Sequence, residues 1–315
     1  MISALLNPAL IVFVTGILLG SIFKNITPPS FISKYLGYYL LLGLGLKGGY
    51  SLQQTGFVDE VITVLSLGVF FALLVPIVSY LYLKRILSGD DAAALSGTYG
   101  SVSAVTFVTA NTFLLASSEN YDNYMSAVLV VMEFPAIFMA LFLVTQNGSK
   151  ESKSKIKILR NAFLEVPNIV LLSSLVIAYF FEFNNLELFN LITKNIFDIV
   201  LLVFLIVMGL RVSKRVSELS GKGSKLIVFA LLTPITGSLF ALILSSYFGL
   251  SIGNATLLMV LTASASYIAV PAVVKDAIPN ANPAIYLGLS LGITFPFNVI
   301  IGIPLYNQLA IYFLS

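Results

Sequence analysis

The 315-residue chain contains no cysteine, no histidine and no tryptophan, and only 10% of its residues are charged. Without cysteine there is no disulfide, thiol nucleophile or thiolate metal site. Without histidine there is no imidazole ligand and no His-based triad. No nucleophile–base pair or metal-ligand cluster is left to mark an enzyme. Interfacial anchoring, usually shared with tryptophan, falls to the 15 tyrosines. The scarcity of charge stands against 58% hydrophobic residues and a mean hydropathy of +0.99. Soluble domains carry about 25% charged residues, so the chain reads as an all-α integral membrane protein. No basic stretch precedes the first apolar run, so the first segment is expected to be retained rather than cleaved.

Apolar runs long enough to cross about 30 Å of hydrocarbon predict ten transmembrane helices. They fall at roughly 4–23, 31–50, 60–83, 92–116, 123–145, 163–181, 191–210, 225–248, 254–275 and 283–313. The second and seventh have short apolar cores ending at Lys47 and Arg211, and the last is interrupted by Pro296 and Pro304. Loops after the odd-numbered segments, with their flanks, hold all of the 17 basic residues except Lys47 and Lys194. The opposite side carries Asp59, Glu60, Glu119, Asp122, Glu182 and Glu187. The positive-inside rule then puts both termini on the extracytoplasmic side and the basic 146–160 stretch, QNGSKESKSKIKILR, in the cytoplasm. That stretch reads as a connector, or as a docking site for a cytoplasmic regulator or anionic lipid. Lys47 and Asp198, near segment ends, are expected to reach the interface.

The chain repeats itself. FALLVPI (71–77) returns as FALLTPI (229–235), Gly45-Leu46-Lys47 as Gly209-Leu210-Arg211, and Gly100–Val105 as Ala263–Ile268. Phe134-Pro135 returns as Phe295-Pro296, and Pro8 as Pro167. A repeat of five segments is odd in number, so the second copy enters the membrane from the opposite side. The predicted architecture is two inverted five-helix repeats, 1–145 and 161–315, joined by the 146–160 linker.

Two matching patches carry the chemistry: GSVSAVTFVT (100–109) and TASASYIAVP (262–271), both near mid-segment. Serine and glycine are poor mid-helix residues but suit helix N-termini, and Pro271 suits a first turn. Each patch predicts a break, with half-helices starting near Ser103 and near Pro271 and meeting at the midplane. Their N-termini would present N–H donors and partial positive charge to a small anion. A single patch of this kind also fits plain close packing of helices. Glu133, about ten residues into its segment, fits a cation-coordinating or coupling role, or a neutral hydrogen-bonded carboxyl. Asn298 is a weaker candidate for its counterpart.

On LGLKGGYSL, DAAALSGTYGSVSAVTF, MEFPAIFMALF, VMGLRVSKRVSEL and ASASYIAVPAVVKDAIPNANPAIYLG, the chain resembles the cyanobacterial-type sodium-dependent bicarbonate transporter family. The resemblance covers nearly the whole chain. It implies a core domain with two crossing discontinuous helices, a separate gate domain and a homotrimer. It also implies sodium-coupled anion uptake and inhibition by a PII-like cytoplasmic protein. Carried over by position, the substrate site is Gly100, Ser101, Val102 and Ser103 with Ala263, Ser264 and Ser266. Thr106, Glu133 and Tyr267 fall at the cation-binding or coupling positions. The chain departs from the family pattern where Ser-Ser-Ser-Asp becomes Ser264-Ala265-Ser266-Tyr267, and Val105 replaces a further serine. The sequence therefore predicts a secondary transporter taking up a small anion, bicarbonate first, with Na+ and no other cofactor. Its alternatives are a sodium-coupled carboxylate transporter and an uncoupled anion channel or membrane sensor.

Overall fold

A computed structural model describes residues 8–23, 28–145, 160, 164–181, 186–218 and 223–315. Apart from Arg160, the 146–160 linker lies outside the described residues. The described residues are helical, with no strand among them. In chain order the helices are α1 (Pro8–Ile22), α2 (Ser30–Thr55), α3 (Asp59–Leu83), α4 (Gly89–Gly100) and α5 (Ala104–Ala116). Next come α6 (Met125–Thr145), α7 (Val166–Phe180), α8 (Leu186–Asn190), α9 (Ile196–Glu218) and α10 (Ser224–Tyr247). The chain ends with α11 (Ile252–Ala263), α12 (Ala269–Ala277), α13 (Pro283–Leu289), α14 (Phe295–Phe297) and α15 (Ile303–Leu314).

Six stretches are long and apolar enough to cross a membrane: Asp59–Leu83, Gly89–Ala116, Met125–Leu143, Glu187–Lys214, Ser224–Tyr247 and Pro283–Leu314. Pro8–Ile22, Val166–Phe180 and Ile252–Ala263 are apolar but shorter. α2 has 26 residues, yet its glycines and polar side chains dilute its hydropathy. Each of the ten predicted segments contains helix, but length and composition alone mark six of them as spans.

One local expectation is corrected and two are sharpened. The last segment is not broken at its prolines. It runs on through π-turns at Ser290–Thr294 and Asn298–Gly302, ahead of Pro296 and Pro304 in turn. A wider turn absorbs the hydrogen bond that a proline cannot donate. α2 continues beyond Lys47 to Thr55, and Lys47 is partly buried. Its ammonium lies over the Phe197 ring, 4.1 Å from the centroid, tying α2 to α9 by a cation–π contact. The second half-helix begins at Ala269, two residues earlier than Pro271, which sits inside its first turn.

The packing crosses between the two halves of the chain. α2 lies along α7, and α9 lies along α1. The repeated glycines are the crossing points. A Cβ on Gly45 would meet the backbone of Leu171 and Leu175 in α7. One on Gly209 would lie 2.7 Å from the Ile17 nitrogen and 2.8 Å from the Gly16 carbonyl carbon in α1. Likewise α4 packs on α3 and α11 on α10, so each broken pair leans on a helix carrying the repeated proline, Pro76 or Pro234.

Both first half-helices are anchored by the same device. Ser88 Oγ accepts from the Asp91 amide at 3.1 Å and Ser251 Oγ from the Asn254 amide at 3.3 Å, capping α4 and α11. The capped residue then grips a loop of the other half. Asp91 Oδ1 accepts from the Asn282 amide at 2.7 Å, and Asn254 Oδ1 from the Asp122 amide at 2.9 Å. Asn254, fully buried, also donates to Asp122 Oδ2 at 2.7 Å, Tyr124 Oη at 2.9 Å and Glu60 Oε1 at 3.2 Å.

Candidate functional site

Both predicted breaks are present. α4 ends at Gly100, residues 101–103 are non-helical, and α5 starts at Ala104. α11 ends at Ala263, residues 264–268 are non-helical, and α12 starts at Ala269. Ser103 is the N-cap of α5: its Oγ accepts from the Thr106 amide at 3.2 Å and the Thr106 hydroxyl at 2.8 Å. α12 is capped less firmly, by Ser266 Oγ accepting from the Val270 amide at 3.4 Å. Pro271 leaves this first turn one donor poorer.

The breaks are stitched together directly. The Ser103 amide donates to Ser264 Oγ at 3.0 Å, and the Ser266 amide donates to the Thr98 carbonyl at 2.9 Å. Each break also has a polar brace from the last long helix of its own half. Ser101 Oγ donates to Glu133 Oε2 at 2.6 Å, and the Val102 amide lies against the same carboxylate. Asn298 Nδ2 donates to the Ala263 carbonyl at 2.8 Å, while Tyr306 donates to Asn298 Oδ1 at 2.9 Å. Asn298 thus serves the second break as Glu133 serves the first, with an amide in place of a carboxylate.

Between the breaks lies a small cavity of about 20 Å³, on the scale of a single water. Of the predicted site residues, Val102, Ser103, Glu133, Ser266 and Tyr267 line it. Gly100, Ser101, Thr106, Ala263 and Ser264 stand behind that wall, joined to it by the bonds above or by chain continuity. Ala104 and Ala269, the first residues of α5 and α12, also line it, so two helix N-termini face one cavity. The first-turn N–H groups there have no intrahelical acceptor and suit an anion. Leu41 of α2 and Leu171 of α7 close the far side. Nothing in the sequence marks these two leucines, which stand in runs of similar apolar residues.

Among the described residues, no three acidic side chains converge as a metal site. The hydroxyl bonded to Glu133 is that of Ser101, in the first break. The arrangement can hold a small anion by backbone dipoles and hydroxyls, with one carboxylate beside it.

An all-helical membrane protein with two discontinuous helices facing one buried cavity has the organisation of a membrane transporter. The sequence profile of the Na+-dependent bicarbonate transporter superfamily matches residues 8–311, nearly the whole chain, and the chain belongs to that superfamily. The family is one of transporters, not enzymes. No curated protein matches the chain significantly.

Proposed function

We propose that the chain is a secondary transporter that takes up bicarbonate together with Na+ by alternating access, with the anion held at the crossing of the two breaks. The observation that carries this is the shared cavity: the first residues of α5 and α12 both line it, together with Ser103 and Ser266. Thr106, Glu133 and Tyr267 carry the coupling to Na+ in this reading, Glu133 and Tyr267 from the wall of the same cavity and Thr106 from behind it. Ten spans in two inverted halves, 1–145 and 161–315, are supported by the crossed packing and by the paired anchors at Asp91 and Asn254. In this reading α1, α2, α7 and α9 form the gate, and the broken helices with their supports form the core that moves against it. Both termini lie outside the bacterial inner membrane, and 146–160 lies in the cytoplasm. A homotrimer and a PII-like regulator remain part of the proposal on the family resemblance.

The test is uptake of labelled bicarbonate into proteoliposomes with and without an inward sodium gradient. Accumulation that requires sodium supports the proposal. If folded protein accumulates neither bicarbonate nor any small carboxylate with sodium, it is not a coupled anion transporter.

A further inference from the structure

The cavity holds one group that the anion reading leaves idle. The Tyr267 hydroxyl is buried and has no hydrogen-bond partner, although Tyr267 lines the cavity. Its ring is fixed edge-on against Phe295, with centroids 5.3 Å apart. The hydroxyl faces Ser103 without closing a bond of standard geometry, and Ser103 Oγ already accepts from the Thr106 amide and hydroxyl. A buried O–H is rarely left without an acceptor, and each exception asks for an explanation.

The same cavity is lined by Glu133, whose ionised carboxylate can only accept. Its Oε2 is engaged by Ser101 and the Val102 amide lies against the carboxylate, which leaves lone pairs for one further donor. The walls therefore offer several donors (the Tyr267 hydroxyl, the Ser266 hydroxyl and the first-turn amides that the Ser103 and Ser266 caps leave over) and one strong acceptor. A ligand that satisfies both needs oxygens that accept and one O–H that donates. An anion without a proton would set a bare oxygen against the carboxylate and be rejected by it. The cavity is about one water in size, so it must widen to seat even a small oxyanion.

We infer that Tyr267 and Glu133 act as a donor–acceptor pair selecting singly protonated, planar oxyanions, Tyr267 donating to an anion oxygen and Glu133 accepting the anion's own O–H. This rests on the anion site proposed above and specifies what that site reads. Bicarbonate has the required pattern. Nitrate has its shape without the proton, and formate has hydrogen in place of the hydroxyl.

The experiment is anion-dependent thermal stabilisation of the purified full-length protein, titrating bicarbonate, nitrate and formate. Wild type should half-saturate with bicarbonate at a concentration about 10-fold lower than with nitrate or formate, the worth of one charge-assisted hydrogen bond. Tyr267→Phe should weaken all three about 10-fold, while leaving ligand-free melting unchanged or higher, because it deletes an unpaired hydroxyl. Glu133→Gln should bring nitrate close to bicarbonate, since the amide supplies an N–H where the carboxylate repelled. If wild type binds anions but does not separate bicarbonate from nitrate, the pair does not read the proton and the inference falls. It falls too if Tyr267→Phe binds all three anions like wild type, or if folded Glu133→Gln keeps the full preference. If no anion stabilises wild type, the anion site itself falls as well.

Discussion

Gly100→Ala probes how closely the first break is held. Gly100 closes α4 immediately before the break, and an added Cβ would fall into the Pro76 ring. It would lie 2.6 Å from Pro76 Cδ and 3.2 Å from the Ala72 carbonyl oxygen. Carbon atoms in ordinary contact stand about 3.5 Å apart or more, and Pro76 Cγ lies closer still than Cδ, so α4 and α3 would have to separate by more than about 1 Å at that height. Pro76 cannot turn aside, because its ring is part of the α3 backbone. Overpacking of this kind costs about 1–3 kcal/mol, and at about 2–4 °C per kcal/mol melting should fall by about 2–12 °C. The functional loss should be larger, since about 1 Å of misplacement can cost about 100-fold in rate. With no tryptophan in the chain, melting is best followed by far-ultraviolet circular dichroism, alongside sodium-driven uptake. Gly223→Ser is the control. Its Cβ meets nothing within 4 Å, and α10 has no side-chain cap there, so stability should hold or rise by a few tenths of a kcal/mol. A Gly100→Ala protein that melts and transports like wild type would refute the idea that contact with Pro76 sets the position of the break.

Other outcomes follow from the anchors and braces. Asn254→Leu deprives the Asp122 amide of its acceptor, and Asp122 Oδ2 and Glu60 Oε1 of a donor. It should cost about 2–4 kcal/mol in chemical or thermal unfolding, at the high end of polar losses because several groups fail together. Asp91→Ala removes the acceptor for the Asn282 amide and the partner of Ser88, and should cost about 1–2 kcal/mol by the same measurement. Tyr306→Phe leaves Asn298 Oδ1 without its donor and should cost about 1 kcal/mol, with uptake reduced less than by Asn298→Leu, which also frees the Ala263 carbonyl.

The breaks were legible because serine and proline are misfits in a mid-membrane helix, and two misfits at the same place in a repeat seldom arise by packing alone. The glycines of Gly45 and Gly209 were visible as a repeat, but their purpose, letting α2 and α9 cross the first helix of the opposite half, needed coordinates. The anchors were missed although their signal is local. Ser88-x-x-Asp91 and Ser251-x-x-Asn254 are capping patterns at the same offset of 163, but the predicted spans, starting at 92 and 254, leave out both cap serines. The partner of Lys47 was not legible, because the aromatic face that receives it lies 150 residues along the chain. Sequence gave no notice of Leu41 and Leu171, since closing a cavity with leucine leaves no mark in a leucine-rich chain.

The measurement that bears most directly on the account is sodium-driven bicarbonate uptake by Ser103→Ala, Ser266→Ala and the double variant in proteoliposomes, with protein folding checked by circular dichroism. If the two breaks form one anion site, each single change should cut uptake about 10-fold and the double change about 100-fold. A folded double variant that accumulates bicarbonate at the wild-type rate would put the anion elsewhere in the protein and contradict the account.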